Sequence, residues 1–252
     1  MNRRKFIVEA AGWIRDKVRR AGAKGVVLGV SGGVDSAVAA ALCRRAVGRD
    51  KLLCLLLPCH TPVSETEDSR LVCRALNVKC KSQDLTPVFD HLVRMLPPAD
   101  KKTTSNLKPR LRMLTLYFFA NRHNYIVAGT GNRSELTLGY FTKYGDGGAD
   151  ILPIGGLLKR EVRELARELG IPPKIILKRP TAGLWPGQTD EGEMGLAYEY
   201  IDGVLNRRGG WKKHGNKKIR KMAQRALHKL SVPEVFIAGK VSHSMGRRLF
   251  LL

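Results

Sequence analysis

The chain has 252 residues, 45 Lys plus Arg against 22 Asp plus Glu, and a formal charge of +23, with 43% hydrophobic and 27% charged residues. That composition is globular and excludes a fibrous or disordered chain. The length suits one large α/β domain, which buries enough surface to need neither disulfides nor a structural metal. No apolar run approaches the ~20 residues that cross a bilayer. The basic start, MNRRKFIVEAAGWIRDKVRR, lacks the apolar stretch of a signal peptide, so a cytoplasmic protein without a membrane partner is expected.

Short apolar runs alternate with amphipathic segments, the pattern of βαβ units and a mostly parallel, doubly wound sheet of about five strands. In chain order the spacing predicts a helix over 3–20, a strand over 26–30, a helix over 34–47, a strand over 52–57, a helix over 65–76 and a strand over 77–80. After Pro97-Pro98 it predicts a helix over 107–121, strands over 125–129 and 151–154, and helices over 159–169 and 191–205. Residues 207–218, RRGGWKKHGNKK, have two glycine breaks and little apolar content. They read as a mobile loop, with a short helix over 219–230 after it. No linker divides residues 1–252, and the segment 207–229 is the mobile basic part of a single domain.

Five cysteines (Cys43, Cys54, Cys59, Cys73 and Cys80) form no CxxC pair and no zinc spacing. They are expected as free, buried thiols acting as small hydrophobes. Charge is uneven. Residues 1–49 carry 11 basic and 3 acidic side chains, and residues 203–252 carry 13 basic and one acidic. Basic ends raise a nucleic acid or another polyanion as partner. The competing reading is a solubilising surface, and no aromatic residues interleave these runs as base-stacking would require.

The first predicted strand runs into Gly29-Val30-Ser31-Gly32-Gly33-Val34-Asp35-Ser36 and then an Ala-rich helix. Glycines let the backbone turn tightly and present N–H groups, and a helix N-terminus favours an anion. The loop lacks the lysine of GxxxxGK[ST] and is no Walker loop. Asp35 would repel a phosphate unless a cation lay between them, which points to Mg²⁺.

SGGVDS resembles the pyrophosphate loop of the ATP pyrophosphatase superfamily, whose members cleave ATP between the α- and β-phosphates and adenylate a substrate oxygen. Within it, the stretch GTGNRSELTLGYFTKYGDGGADILPIGG, the residues Arg179 to Gly183 and the segment GLWPGQTDE resemble ammonia-dependent NAD synthetases. The resemblance implies an adenine nucleotide alpha-hydrolase-like fold and amidation of deamido-NAD by ammonia at the expense of ATP. It also implies that Thr130, Lys159 and Thr181 join the 29–36 loop on ATP. Asp35 and Glu135 would hold Mg²⁺, and Arg110, Lys143 and Asp150 would hold the dinucleotide. Asp146, in a glycine-rich turn, is either the group that binds ammonium and takes its proton or a turn-capping aspartate. Lys159 alone also reads as a solvated helix start. The family's C-terminal His-Lys-Arg is matched here only by His228-Lys229-Leu230, which makes those two residues the candidates to reach the dinucleotide.

The resemblance further implies a homodimer, with Phe6, Ile7, Trp13, Ile14 and Val18 of the first helix offering an apolar face. That face could equally pack on its own sheet. Because the pyrophosphatase-like region takes up nearly the whole chain, ammonia rather than glutamine is the expected nitrogen donor. A tRNA-modifying pyrophosphatase and a non-enzymatic nucleotide-binding protein are the alternatives. The first leaves FTKYGDGG unexplained, the second has no need of both Asp35 and Glu135, and a nucleic-acid partner is not expected.

Overall fold

The computed structural model describes residues 2–185, 187–233 and 235–236; the terminal sequence SMGRRLFLL lies outside them. The chain runs α1 (Arg3–Arg20), β1 (Gly25–Gly29), α2 (Val34–Val47), β2 (Leu52–Leu56), α3 (Val63–Ala75), β3 (Lys79–Ser82), α4 (Thr86–Met95), α5 (Lys101–Ser105), α6 (Leu107–His123), β4 (Tyr125–Val127), α7 (Arg133–Leu138), α8 (Lys159–Glu168), α9 (Pro173–Leu177), α10 (Asp190–Met194), α11 (Tyr198–Asn206), α12 (Gly210–His214) and α13 (Lys217–Leu230). The four strands pair in parallel in the order β3-β2-β1-β4.

Alternation along the strands sets the layers. Val26, Leu28, Leu52, Cys54, Leu56 and Ile126 face one side, where α1, α2 and α8 build the larger core. Val27, Leu55 and Val127 face the other, against Phe89 of α4 and Phe119 and Ala120 of α6. Burial on both faces is why β1 and β2 read as unbroken apolar runs. The exposed edge strand β3 is KCKS, with lysines that discourage pairing with another chain. Sequence order reverses between β1 and β4, so ligands are expected beyond their carboxyl ends.

Several expectations need correction. The strand over 151–154 is reduced to one bridge, Ala128 to Ile151, because Pro153 offers no N–H and the chain turns at once toward Gly155-Gly156. The helix over 191–205 is two, α10 and α11, separated at Gly195 with φ +59. The expected loop at 207–218 contains α12 and the start of α13. The apolar stripe of α13 (Ile219, Ala223, Ala226) is buried, and its Ala226 lies against Gly139 beyond α7. In α1, Ile7, Ala10, Ala11, Ile14 and Val18 belong to the chain's own core, so most of the face expected at a dimer contact is internal; Phe6 is half-buried against the same core, and Trp13 is 42% exposed. Finally, Cys73 and Cys80 form a disulfide, whereas Cys43, Cys54 and Cys59 are free and buried as expected. The turn from α3 to β3, with Asn77 at φ 45, brings the pair together, a closeness that their spacing in sequence does not announce.

Among the described residues no helix is long and apolar enough to cross a membrane.

Candidate active site

A cavity of about 650 Å³ opens over the carboxyl ends of β1 and β4. On one side is the 29–36 loop. Gly32 has φ +78, and a Cβ there would meet Asp68 and Ser69 of α3 at 2.8–2.9 Å, so only glycine fits. Ser36 Oγ accepts the Ser31 N–H at 3.2 Å and donates to the Gly33 carbonyl at 3.0 Å, while Ser31 Oγ accepts the Gly33 N–H at 3.3 Å. Gly33, which precedes α2, makes no side-chain cap bond, so the N-terminal amides of α2 remain available to an anion.

Opposite the loop stand the residues that the resemblance singles out. Asn132, Arg133, Ser134 and Glu135 form a capping box: the Asn132 side chain accepts the Glu135 N–H, and Glu135 Oε2 accepts the Asn132 N–H. The amide of Asn132 also donates to Asp35 Oδ1 at 2.8 Å. Lys159, first residue of α8, places its Nζ 2.5 Å from Asp35 Oδ2 and 3.1 Å from Glu135 Oε1. The Tyr198 hydroxyl lies 3.2 Å from Glu135 Oε1 and 3.0 Å from Asp190 Oδ2. Burial pushes the Glu135 carboxyl up, a shift that Asp35 reinforces and Lys159 opposes. Burial alone would lower the Lys159 ammonium, yet Asp35 and Glu135 hold it above its usual range. The solvated-helix-start reading of Lys159 is therefore wrong.

Beneath this group, buried Asp202 of α11 accepts the Ser134 hydroxyl at 2.6 Å and the Arg160 N–H at 2.9 Å, and Ser134 Oγ accepts the Lys159 N–H at 3.1 Å. One carboxylate thus aligns the starts of α7 and α8, and with them Glu135 and Lys159.

Thr130 and Thr181 also line the cavity. Thr181 belongs to the segment 178–188, which two lysines pin down. Lys178 pairs with Glu65 at 2.5 Å and Asp68 at 2.7 Å on α3, and Lys108 of α6 donates to the Leu184 carbonyl at 2.8 Å. Burial raises the Asp68 carboxyl, but hydrogen bonds from Lys174 and Lys178 outweigh it and leave Asp68 below the usual range.

Arg110, Lys143, Asp146, His228 and Lys229 line the remaining cavity wall. Asp146 Oδ1 accepts the Thr142 N–H at 2.8 Å, so it caps its turn and faces the cavity as well. Enclosure by the cavity walls raises its carboxyl, against the pull of the Thr142 N–H and of the Arg112 and Lys229 charges. Lys229 Nζ donates to the carbonyls of Gly139 and Phe141, both at 2.8 Å, and Lys143 Nζ donates to the His228 carbonyl. The end of the basic segment is fastened to the site rather than loose. Asp150 does not line the cavity: its oxygens accept the Tyr117 hydroxyl at 3.0 Å and the Val127 N–H at 2.7 Å, so it secures the end of β4.

Sequence reasoning missed Asn132, Tyr198, Asp190, Asp202 and Arg112. The first was legible, since Asn-x-x-Glu is a helix-start signature. Asp190 lay within the quoted GLWPGQTDE segment and Arg112 two residues beyond Arg110, whereas Tyr198 and Asp202 reach the site from α11 and carry no local signal.

A lysine-free glycine-rich loop at the switch point of a parallel sheet, facing two carboxylates and a buried lysine, defines an α/β protein of the adenine nucleotide alpha-hydrolase-like kind. The NAD synthase family profile matches residues 6–233. The chain is 48% identical over 228 residues to the NH3-dependent NAD(+) synthetase of Carboxydothermus hydrogenoformans, covering 88% of this chain and 93% of that one. It is 44% identical over 240 residues to the protein of the same name from Archaeoglobus fulgidus, covering 93% and 97%. Among solved structures, the NMN synthetase of Francisella tularensis superposes with a TM-score of 0.85 at 34% identity, covering 93% of this chain and 98% of that one. The NH3-dependent NAD synthetase of Campylobacter jejuni, solved with a nitrate ion, gives 0.77 at 29% identity, covering 94% and 100%. The chain belongs to the NAD synthase family.

Proposed function

We propose that this protein is an ammonia-dependent NAD synthetase, a ligase that converts ATP, deamido-NAD and ammonia to AMP, pyrophosphate and NAD. The observation that carries the reading is one cavity in which the phosphate loop and the Asp35–Glu135–Lys159 group face Asp146, Arg110 and Lys143. Two anionic substrates meet in this reaction, so cations and amide dipoles must neutralise charge as the pyridine carboxylate attacks the α-phosphate.

The donor set fits Mg²⁺: Asp35 and Glu135 supply hard carboxylate oxygens, and a site with only two such groups suits an ion that keeps waters and takes phosphate oxygens as well. Bound there, Mg²⁺ supplies charge neutralisation at the triphosphate. The 29–36 amides and Ser31 cradle phosphate, and Thr130 and Thr181 line the same cavity. Arg110 and Lys143 draw in the dinucleotide. Asp146 binds the incoming nitrogen and accepts its proton, and amide formation expels AMP. NAD is the product and not a redox cofactor.

The protein acts in the cytoplasm as a homodimer. The support for a dimer lies on α6, where Leu114 is 64% and Phe118 59% exposed, four residues apart on the helix that carries Arg110.

The test is NAD formation by the purified chain from ATP, Mg²⁺ and deamido-NAD, with ammonium or glutamine as nitrogen source. Nicotinic acid mononucleotide serves as a rival substrate, because the Francisella neighbour is an NMN synthetase. Ammonium-driven NAD formation with equimolar AMP is expected. Efficient use of glutamine by the isolated chain, a preference for the mononucleotide, or tRNA modification instead would each overturn the reading.

A further inference from the structure

The Lys159 ammonium bridges Asp35 and Glu135, the pair proposed to hold the metal. Its Nζ touches Asp35 Oδ2 and Glu135 Oε1. The opposite oxygens, Asp35 Oδ1 and Glu135 Oε2, are taken by the side-chain and backbone N–H groups of Asn132, at 2.8 and 3.2 Å. Lys159 thus holds one oxygen of each carboxylate, and the Glu135 one also accepts the Tyr198 hydroxyl at 3.2 Å. The ammonium is itself held: the side chain is 3% exposed, the Tyr198 ring lies 4.8 Å from Nζ, and the backbone is tied through Ser134 to Asp202.

We propose that Lys159 is a placeholder for the metal. It keeps the two carboxylates together and excludes a free divalent ion, so that metal enters only as its complex with the nucleotide. Two cations on the same pair of enclosed oxygens would repel strongly, and one of them must leave. A free ion arriving alone would push the ammonium off both partners and leave a buried, unpaired charge. A metal–nucleotide complex removes that obstacle, because the triphosphate it carries is the anion that receives the ammonium. Lys159 already lines the cavity, and its flexible stem lets the head group transfer over a short distance. The inference rests on the reading of Asp35 and Glu135 as the metal-holding pair.

The experiment measures Mn²⁺ retention by electron paramagnetic resonance in the absence of nucleotide, and needs no turnover. The wild-type protein is expected to leave Mn²⁺ free until a non-hydrolysable ATP analogue is added. Lys159→Gln and Lys159→Met are each expected to bind Mn²⁺ without nucleotide about tenfold or more tightly than wild type, since the competing ammonium is gone. Adding Asp35→Asn to either variant should abolish the gain, and circular dichroism checks that the variants fold. Nucleotide-free binding by wild type as tight as by the lysine variants overturns the proposal, as does a folded Lys159 variant that gains no affinity. Should both variants misfold, the wild-type titration decides alone: stoichiometric Mn²⁺ binding without nucleotide overturns it, and binding only with the analogue supports it. Failure of the NAD assay with these Mn²⁺ results intact would remove the proposed substrate and leave the placeholder standing.

Discussion

At one end of the cavity, Asp35 on α2, Asn132 and Glu135 at the start of α7, Lys159 on α8 and Tyr198 on α11 hold one another through bonds of 2.5–3.2 Å, with Lys159 almost wholly enclosed. At the other end, Arg110 is exposed and reaches the carbonyls of Asn106 and Lys143 only at 3.5 Å, and His228 stands open to solvent. The first end, proposed for the triphosphate, is preorganised, so its groups lose little freedom when charge develops. At the second, proposed for the dinucleotide, Asp146, Lys143 and Lys229 are already fastened, but the Arg110 guanidinium and the His228 ring must be ordered by the substrate or by a second copy of the chain. Substitutions at the first end should therefore damage the chemical step, and those of the loose side chains at the second should damage binding.

The largest effect should come from Asp35→Asn or Glu135→Gln. Each should cut pyrophosphate release by about 10²–10³-fold, the range seen when a preorganised electrostatic partner is lost, with unchanged circular dichroism. Near-normal release from either at saturating Mg²⁺ would mean that this end is not the metal end. Asp146→Asn comes next and should separate the two half-reactions: adenylation continues, while NAD formation falls about 10²-fold, as for loss of a positioned base. Because enclosure raises this carboxyl, its basic form is gained as pH climbs through the raised pKa. NAD formation should therefore rise with pH over that window in wild type more steeply than in Asp146→Asn. Parallel pH profiles would return Asp146 to turn-capping alone.

Two stability predictions sharpen the comparison further. Asp202→Ala leaves the Ser134 hydroxyl and the Arg160 N–H unpaired in a buried site. A loss of about 3 kcal/mol and a fall in melting temperature of about 6–12 °C are expected. The KM for ATP should rise with it, since the starts of α7 and α8 lose their common anchor. Reduction of the Cys73–Cys80 pair, or Cys80→Ser, should cost about 2 kcal/mol for so short a loop and leave activity intact, because neither residue lines the catalytic cavity. Denaturant titration with and without reductant measures it. Thiol counting on the oxidised native protein should find no reactive cysteine, since burial pushes Cys43 up and holds Cys54 at about 12.

How far the sequence was legible follows the range of the forces involved. Helices α1 and α2 match their expected limits because both ends carry local signals: Asn2, whose side chain caps the first turn of α1, and Gly33 and Gly48 flanking α2. A strand over 151–154 looked plausible by its apolar run, but one proline outweighed that run. The glycine break at 209–210 suggested a loop; the apolar stripe that buries α13 was visible downstream, but its partner α7 was not recognised as a helix at all. In the site, Asp35 and Glu135 were reachable through motif and resemblance. Tyr198, by contrast, sits at helical spacing among Ile201 and Leu205 and reads as core, which it also is. Its hydroxyl acquires a role only once α11 is folded against α7 and α8.

The smallest effect should come from the dinucleotide end, and its small size is itself the discriminating result. Arg110→Ala should raise the KM for deamido-NAD about tenfold, the equivalent of about 1.4 kcal/mol, with kcat and the KM for ATP little changed. Lys143→Ala should do less, because an ammonium on a flexible stem gives a weaker and less directional contact than a guanidinium fork. Both effects should shrink as salt rises toward physiological strength and beyond, since exposed charges are screened over about 8–10 Å, whereas the Asp35→Asn defect should not respond to salt. Concentration dependence adds a further cut. If the exposed Leu114–Phe118 face of α6 brings a second copy beside Arg110, dilution below the dimer's dissociation range should reproduce the Arg110→Ala phenotype in the wild-type protein. A kcat defect in Arg110→Ala that is as deep as that of Asp35→Asn and insensitive to salt would show that the two ends are equally preorganised, and would dissolve the comparison.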